Sequence, residues 1–265
     1  MSIIYVTSFS KDLYEASGKA MVQSYLDSGM QDTLIVAFEG FQMNDLFNDP
    51  RIVKYDLEKS LFLKEWLHNN RDVIPTYLGG QAKPGPDNKA VFNNIWNRKA
   101  SRWFRKIASF EYAIRKFSQT HDYIVWIDCD SLILKKIEPD WMVEKAFQHK
   151  DLFYHLGPYR SKKETGIESG VIGFKKGRGY QILQKVFDFY TSKQYLLIKR
   201  WDDGYVFRFV IEKCLGLGLV TGVDLATPEN RISNEGRKLD VICKGIFKDY
   251  VLHKKGLHKR LGISV

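Results

Sequence analysis

Tyr123-Ile124-Val125-Trp126-Ile127-Asp128-Cys129-Asp130 is the stretch on which the fold turns. Five consecutive β-branched and aromatic residues predict a strand buried on both faces, as in a parallel sheet. The run stops at two carboxylates spaced i, i+2, neither of which tolerates the core that the strand requires. In open α/β sheets ligands bind just beyond the carboxyl ends of the strands. Strand periodicity would point Asp128 and Asp130 to one face, where they could share a hard divalent cation. The same residues also fit an acidic turn, because Asp favours turns, and the stretch alone leaves both readings open.

Outward from this strand the chain alternates strands and helices. Ile3 to Ser8 is a short apolar strand, Ala16 to Ser28 reads as a helix closed by Gly29, and Thr33 to Phe38 is a second strand. This opening βαβ unit predicts a parallel, doubly wound sheet. Arg51 to Tyr55 adds a short strand and Glu58 to Asn69 a helix. Lys99 to Phe117 is strongly helical, with Trp103, Ile107, Phe110, Ala113 and Ile114 as its apolar stripe. Further strands are expected at Leu152 to Leu156, Ser169 to Phe174 and Leu217 to Val223, and helices at Gly179 to Tyr190 and Asp203 to Leu215. Pro75 to Asn97, rich in Pro, Gly and Asn, reads as a long loop, the kind usually tied to function. The expectation is one α/β domain over residues 1–265, Rossmann-like, with helices flanking a mostly parallel sheet and a long insertion at about 42–97 on the acceptor side.

Composition narrows the class. At 265 residues with 44% hydrophobic content the chain is globular and can bury a sizeable core. No run of about 18 apolar residues predicts a transmembrane helix. The N-terminus has no basic segment leading an apolar one, so no signal peptide is expected. Three widely spaced cysteines, Cys129, Cys214 and Cys243, exclude a disulfide framework and a Cys-x-x-Cys zinc site and fit a cytoplasmic compartment. Lys and Arg number 41 against 31 Asp and Glu, a formal charge of +10 that favours a polyanionic partner: a nucleotide diphosphate, a nucleic acid or an anionic membrane surface.

Several separated pieces then fall in one order. Tyr5-Val6-Thr7 is followed by Tyr14; Lys106-Ile107 precedes Asp128-x-Asp130; Ser169-Gly170-Val171 follows; and His253-x-x-Gly256-x-x-Lys259 closes the chain. Together they resemble the glycosyltransferases of the GT-A fold, in particular the glycogenin-like retaining group. The resemblance spans nearly the whole chain on few residues. It implies that Thr7 and Tyr14 hold the nucleotide base and that Lys106 contacts the donor. It also implies that Asp128, Asp130 and His253 bind the metal, and that Gly256 and Lys259 meet the diphosphate. Arg260-Leu261 stands where that family has Pro-Trp, Glu168 where it has Asn, and Asp202-Asp203 where it has Asp-Gln.

The chemistry is coherent with these residue types. A nucleotide-diphosphate sugar reacts by losing a nucleoside diphosphate, whose developing charge a catalyst must stabilise. Two carboxylates and one imidazole suit Mn²⁺, or Mg²⁺. Glu168, Asp202 and Asp203 are the carboxylates left to face the sugar, although Asp202 reads equally well as the cap of the following helix. Two acceptors remain open. A hydroxylated base in DNA fits the basic, aromatic run Trp96, Arg98, Lys99, Arg102, Trp103 and Arg105, and small viral or phage glycosyltransferases are similar in size. A surface glycan or lipid-linked intermediate fits a basic C-terminal tail lying on an anionic membrane. A non-catalytic nucleotide- or nucleic-acid-binding module, and a metal-dependent nuclease or nucleotidyltransferase, are the competing classes.

Overall fold

The structure is a computed structural model, and it describes residues 1–42, 47–73, 99–156, 166–226 and 241–253. The chain opens with β1 (Ile3–Ser10), a helical turn over residues 11–18, and α1 (Lys19–Asp27). α1 ends where Gly29 takes a φ of +80°, a conformation that costs glycine nothing. Then follow β2 (Thr33–Glu39), β3 (Ile52–Asp56), α2 (Leu61–Asn69), α3 (Ala100–Phe117), β4 (Tyr123–Ile127) and β5 (Ser131–Ile133). The second half contributes β6 (Leu152–Tyr154), β7 (Val171–Lys175), α4 (Arg178–Thr191), α5 (Asp203–Gly216), β8 (Gly222–Asp224), the short α6 (Val241–Lys244) and β9 (Val251–His253).

Seven strands form one sheet in the order β3-β2-β1-β4-β7-β6-β8. All neighbours are parallel except β7, which runs against both β4 and β6. The sheet is therefore mostly parallel and Rossmann-like, as the alternation of elements predicts. Period-2 geometry divides its side chains between two buried layers. Ile4, Val6, Ile124 and Trp126 pack with Trp66, Phe104, Ile107, Phe110 and Phe207 on one face. Ile3, Tyr5, Val125 and Ile127 pack with Met21, Val22, Tyr25, Phe147 and Phe247 on the other. Helices α2 to α5 cover the first face and α1 the second. No described helix is long and apolar enough to cross a membrane.

Three expectations need correction. The stripe of α3 is wider than its apolar spacing suggests: Trp103 is only half-buried, whereas Phe104, Arg105 and Lys106 are all buried. The helix is enclosed by β1, α2, α4 and α5, so even its basic residues turn inward. The strand expected from Leu217 shrinks to Gly222–Asp224, because Gly218 takes a φ of +66° and turns the chain after α5. Of the stretch 42–97, residues 52–69 supply β3 and α2 to the sheet and its cover. Residues 43–46 and 74–98, including the loop Pro75 to Asn97, lie outside the described residues.

Phe104 shows what holds the helical layer to the sheet. Its ring lies 3.9 Å from that of Trp66 at 10° and meets Phe62 and Tyr190 as well. Phe104→Ala is expected to cost about 3–5 kcal/mol, the usual range for a fully enclosed aromatic. Leu61→Ala, at a side chain 80% exposed, should stay within about 0.5 kcal/mol. Urea denaturation of both variants checks the contrast.

Candidate metal centre

β4 carries its last buried side chain at Ile127, and the chain turns after one more backbone contact to the segment leading into β7. The Asp128 N–H donates to the Gly170 carbonyl at 2.8 Å, and the Ser131 N–H donates back to the Asp128 carbonyl at 3.0 Å. Residues 128–131 thus form a tight turn. The two aspartates are brought together by this turn and not, as the i, i+2 spacing suggested, by strand alternation.

The turn delivers the chain into β5, which pairs antiparallel with β9 in the register Ser131↔His253. That register sets His253 beside Asp130 although more than a hundred residues separate them. His253 Nε2 lies 3.2 Å from Asp130 Oδ1 and 3.7 Å from Asp128 Oδ2. One ligand atom from each of the three residues falls within 4.8 Å of the others. The imidazole is buried, at 2% side-chain exposure, while Asp128 is 29% exposed and opens the cluster to solvent.

The His253 backbone N–H donates to Cys243 Sγ at 3.1 Å, which anchors the end of β9, and the imidazole ring lies directly against Gly170. A Cβ at position 170 would sit 2.5 Å from His253 Cε1 and 2.9 Å from Nδ1. Glycine is what this position admits, and the close approach fills a space that any side chain would take. Two carboxylate oxygens and one imidazole nitrogen, converging on one opening, are a donor set that fits a small octahedral dication such as Mn²⁺ or Mg²⁺.

Lys106 sits directly behind this cluster. Its Nζ contacts Asp203 Oδ2 at 2.6 Å and Asp128 Oδ1 at 3.0 Å. It also donates to the Ser169 carbonyl at 3.0 Å and Oγ at 3.1 Å, and lies 4.7 Å over the Trp126 ring. Burial disfavours its charge, but Asp128 and Asp203 together outweigh that and hold its pKa above the ordinary lysine value. With these acceptors around three N–H bonds, Lys106 serves as an internal counter-charge of the carboxylates.

The carboxylates expected to face the sugar are separated by the fold. Asp203 joins the cluster, accepting from Ser169 Oγ at 2.8 Å as well as from Lys106. Asp202 caps α5, accepting from the Tyr205 N–H at 3.2 Å, and pairs with Arg200 Nε at 2.8 Å. Glu168 is half-buried on the approach to β7, its N–H donating to the His155 carbonyl at 2.7 Å, one residue before Ser169. Thr7 is buried in β1, its hydroxyl without a hydrogen-bond partner among the described residues. Tyr14 is buried too, its ring 5.0 Å from Phe41 and 5.4 Å from Phe9. Gly256 and Lys259 lie outside the described residues.

Sequence reading missed three partners. Ser169 was noted only as part of a motif, and the Trp126 Nε1–H donates to Asp128 Oδ1 at 2.5 Å. Arg105 is buried against Glu39, at the carboxyl end of β2, and donates to the Ser101 carbonyl at 2.6 Å. That pairing removes Arg105 from the basic surface expected for DNA. An acid ending a buried strand, as Glu39 does, was the signal available in the sequence.

No protein-family model matches the chain, and no curated protein matches it. A functional reading therefore rests on the geometry above.

Asp202 generates a test with a defined sign. Burial foremost raises its carboxyl above the ordinary aspartate value of 3.8, Arg200 opposing and Asp203 adding to the shift. The native state therefore holds this proton at a higher pH than the unfolded chain does, so ionised Asp202 costs stability above the raised value and the cost is relieved as pH falls through it. Asp202→Asn keeps the cap and lacks the titration. The wild type should gain stability relative to Asp202→Asn as pH drops from about 7 towards about 4, read from denaturant midpoints. A difference independent of pH would contradict the shift. Asp202→Ala should cost about 1–2 kcal/mol at neutral pH, through the lost cap and the lost pairing with Arg200.

Proposed function

We propose that the protein is a metal-dependent glycosyltransferase that moves a sugar from a nucleotide-diphosphate sugar to a hydroxyl acceptor, with retention at the anomeric carbon. One observation carries this reading: Asp128, Asp130 and His253 converge just beyond the carboxyl end of β4 in a mostly parallel sheet, where α/β folds place their ligands. The order of these residues along the chain, and the Ser-Gly-Val entry to β7, support it through the resemblance to glycogenin-like enzymes. Retention rests on that resemblance alone.

The residues divide the work. Asp128, Asp130 and His253 would hold Mn²⁺ or Mg²⁺, and Gly256 and Lys259 would meet the diphosphate. When bound, the metal supplies Lewis-acid stabilisation of the charge that develops on the leaving diphosphate. Asp203, held by Lys106 and Ser169, and Glu168, one residue before Ser169, are the carboxylates assigned to stabilise a positively charged sugar centre or attack it. Asp202, committed to its helix and to Arg200, is a structural residue in this scheme. Thr7 and Tyr14 are assigned to the base at the carboxyl end of β1.

For the acceptor we favour a hydroxylated base in DNA over a glycan, on the net charge of +10. Lys99 and the exposed Arg102 support this, whereas Arg105 and Lys106, turned inward, do not.

Two measurements test the reading. Mn²⁺ together with the correct nucleotide sugar should raise the melting temperature, a ligand at 100 times its dissociation constant adding about 2.7 kcal/mol. Asp130→Asn should abolish that gain and lower Mn²⁺-dependent turnover of the nucleotide sugar by about 100-fold or more. If no nucleotide sugar in a full panel stabilises the wild type, the glycosyltransferase reading falls; DNA cleavage or nucleotide incorporation without a sugar would replace it with nuclease or nucleotidyltransferase chemistry. Duplex DNA should bind with an affinity that drops steeply between about 50 and 200 mM salt. Absence of such binding sinks the DNA acceptor and leaves the transferase standing.

A further inference from the structure

The two oxygens of Asp128 have different surroundings. Oδ1 accepts from Trp126 Nε1 at 2.5 Å and from Lys106 Nζ at 3.0 Å. Oδ2 points the other way, towards His253 Nε2 at 3.7 Å. Trp126 and Asp128 are two residues apart at the end of β4, so the indole and the carboxylate lie on the same side of the chain.

The indole has little freedom. Trp126 is 2% exposed, its backbone is paired with Val6 on one side and Ile172 on the other, and its ring packs 5.4 Å from Phe110. The Lys106 ammonium rests on its face. A donor this immobile fixes the plane of the carboxylate it binds, as outer partners of metal ligands commonly do.

We infer that Trp126 is a positioning residue that keeps Asp128 a one-oxygen ligand and thereby tunes the site to a small octahedral cation. The inference rests on the metal reading proposed above. With Oδ1 engaged by the indole and the lysine, only Oδ2 is presented to the cluster. Mg²⁺-like ions accept that geometry, whereas Ca²⁺ takes six to eight oxygens and readily uses both oxygens of a carboxylate. Removing the indole N–H leaves Lys106 as the donor on Oδ1 among the described residues and lets the carboxylate rotate. The site should then lose its discrimination.

The experiment is titration of the full chain with MnCl₂ and, separately, CaCl₂ by calorimetry, for the wild type, Trp126→Phe and Phe110→Leu. Trp126→Phe keeps an aromatic ring and removes the donor; Phe110→Leu loosens packing on the same ring and keeps the donor. Trp126→Phe is expected to weaken Mn²⁺ about 10-fold and leave Ca²⁺ nearly unchanged, so that the Mn²⁺-to-Ca²⁺ affinity ratio falls about 10-fold. Phe110→Leu should leave the ratio in place. Equal weakening of both ions by Trp126→Phe, or the same change of ratio in Phe110→Leu, would reduce Trp126 to packing and overturn the inference. If Trp126→Phe does not fold, replacing Trp126 with its benzothiophene isostere, sulfur in place of N–H, puts the same question with the shape retained. A wild type that binds no Mn²⁺ overturns the metal reading and this inference with it; a wild type that binds Mn²⁺ with an unchanged ratio in the variant overturns this inference alone.

Discussion

A lysine ammonium buried to 8% side-chain exposure must be surrounded by negative charge, and that requirement organises the site end of this fold. Lys106 projects from α3, whose apolar residues anchor it to the sheet. The partners that neutralise it come from three other places: Asp128 from the end of β4, Ser169 from the entry to β7 and Asp203 from the first turn of α5. Burying one of these charges alone would cost several kcal/mol, and removing one partner of a buried pair typically costs about 3–5 kcal/mol. Four segments are thus held in register by one charge. The network is weak evidence for stability as such, but it leaves few alternative arrangements for the carboxylates.

The reversal of β7 is what allows those segments to meet. In a wholly parallel sheet, strand beginnings and strand ends lie at opposite edges. β7 runs against β4, so its beginning lies where β4 ends, and Glu168, Ser169 and Gly170 arrive at the edge that holds Asp128. Gly170 then serves both halves of the cluster. Its carbonyl accepts from the Asp128 backbone, and its missing Cβ makes room for the imidazole that β9 brings in.

The fold was legible because periodicity and length separate buried strands from amphipathic helices, and β4 and α3 are long and unambiguous. The grouping of Asp128, Asp130 and His253 was legible through Asp128-x-Asp130 and the closing His253 motif. What could not be read was how each polar side chain would be spent. Arg105 and Lys106 look like surface charges in sequence; only the enclosure of α3 on several sides shows that they are interior counter-ions. Asp202 and Asp203 are adjacent and chemically identical, yet helix geometry sends one to cap α5 and the other to Lys106. The i, i+2 spacing of the aspartates suggested strand geometry where a turn is used, because a strand's last residue is the least defined feature of its pattern. The indole N–H of Trp126 carries no sequence signal, since tryptophan in a buried strand is sufficiently explained by packing.

Charge balance bears on the same cluster. Asp128, Asp130 and Asp203 bring three formal negative charges into one partly buried region, and Lys106 returns one positive. A remainder of two negative charges is costly in a low-dielectric surrounding. A dication among these residues would offset all of it, which is consistent with the metal reading proposed above.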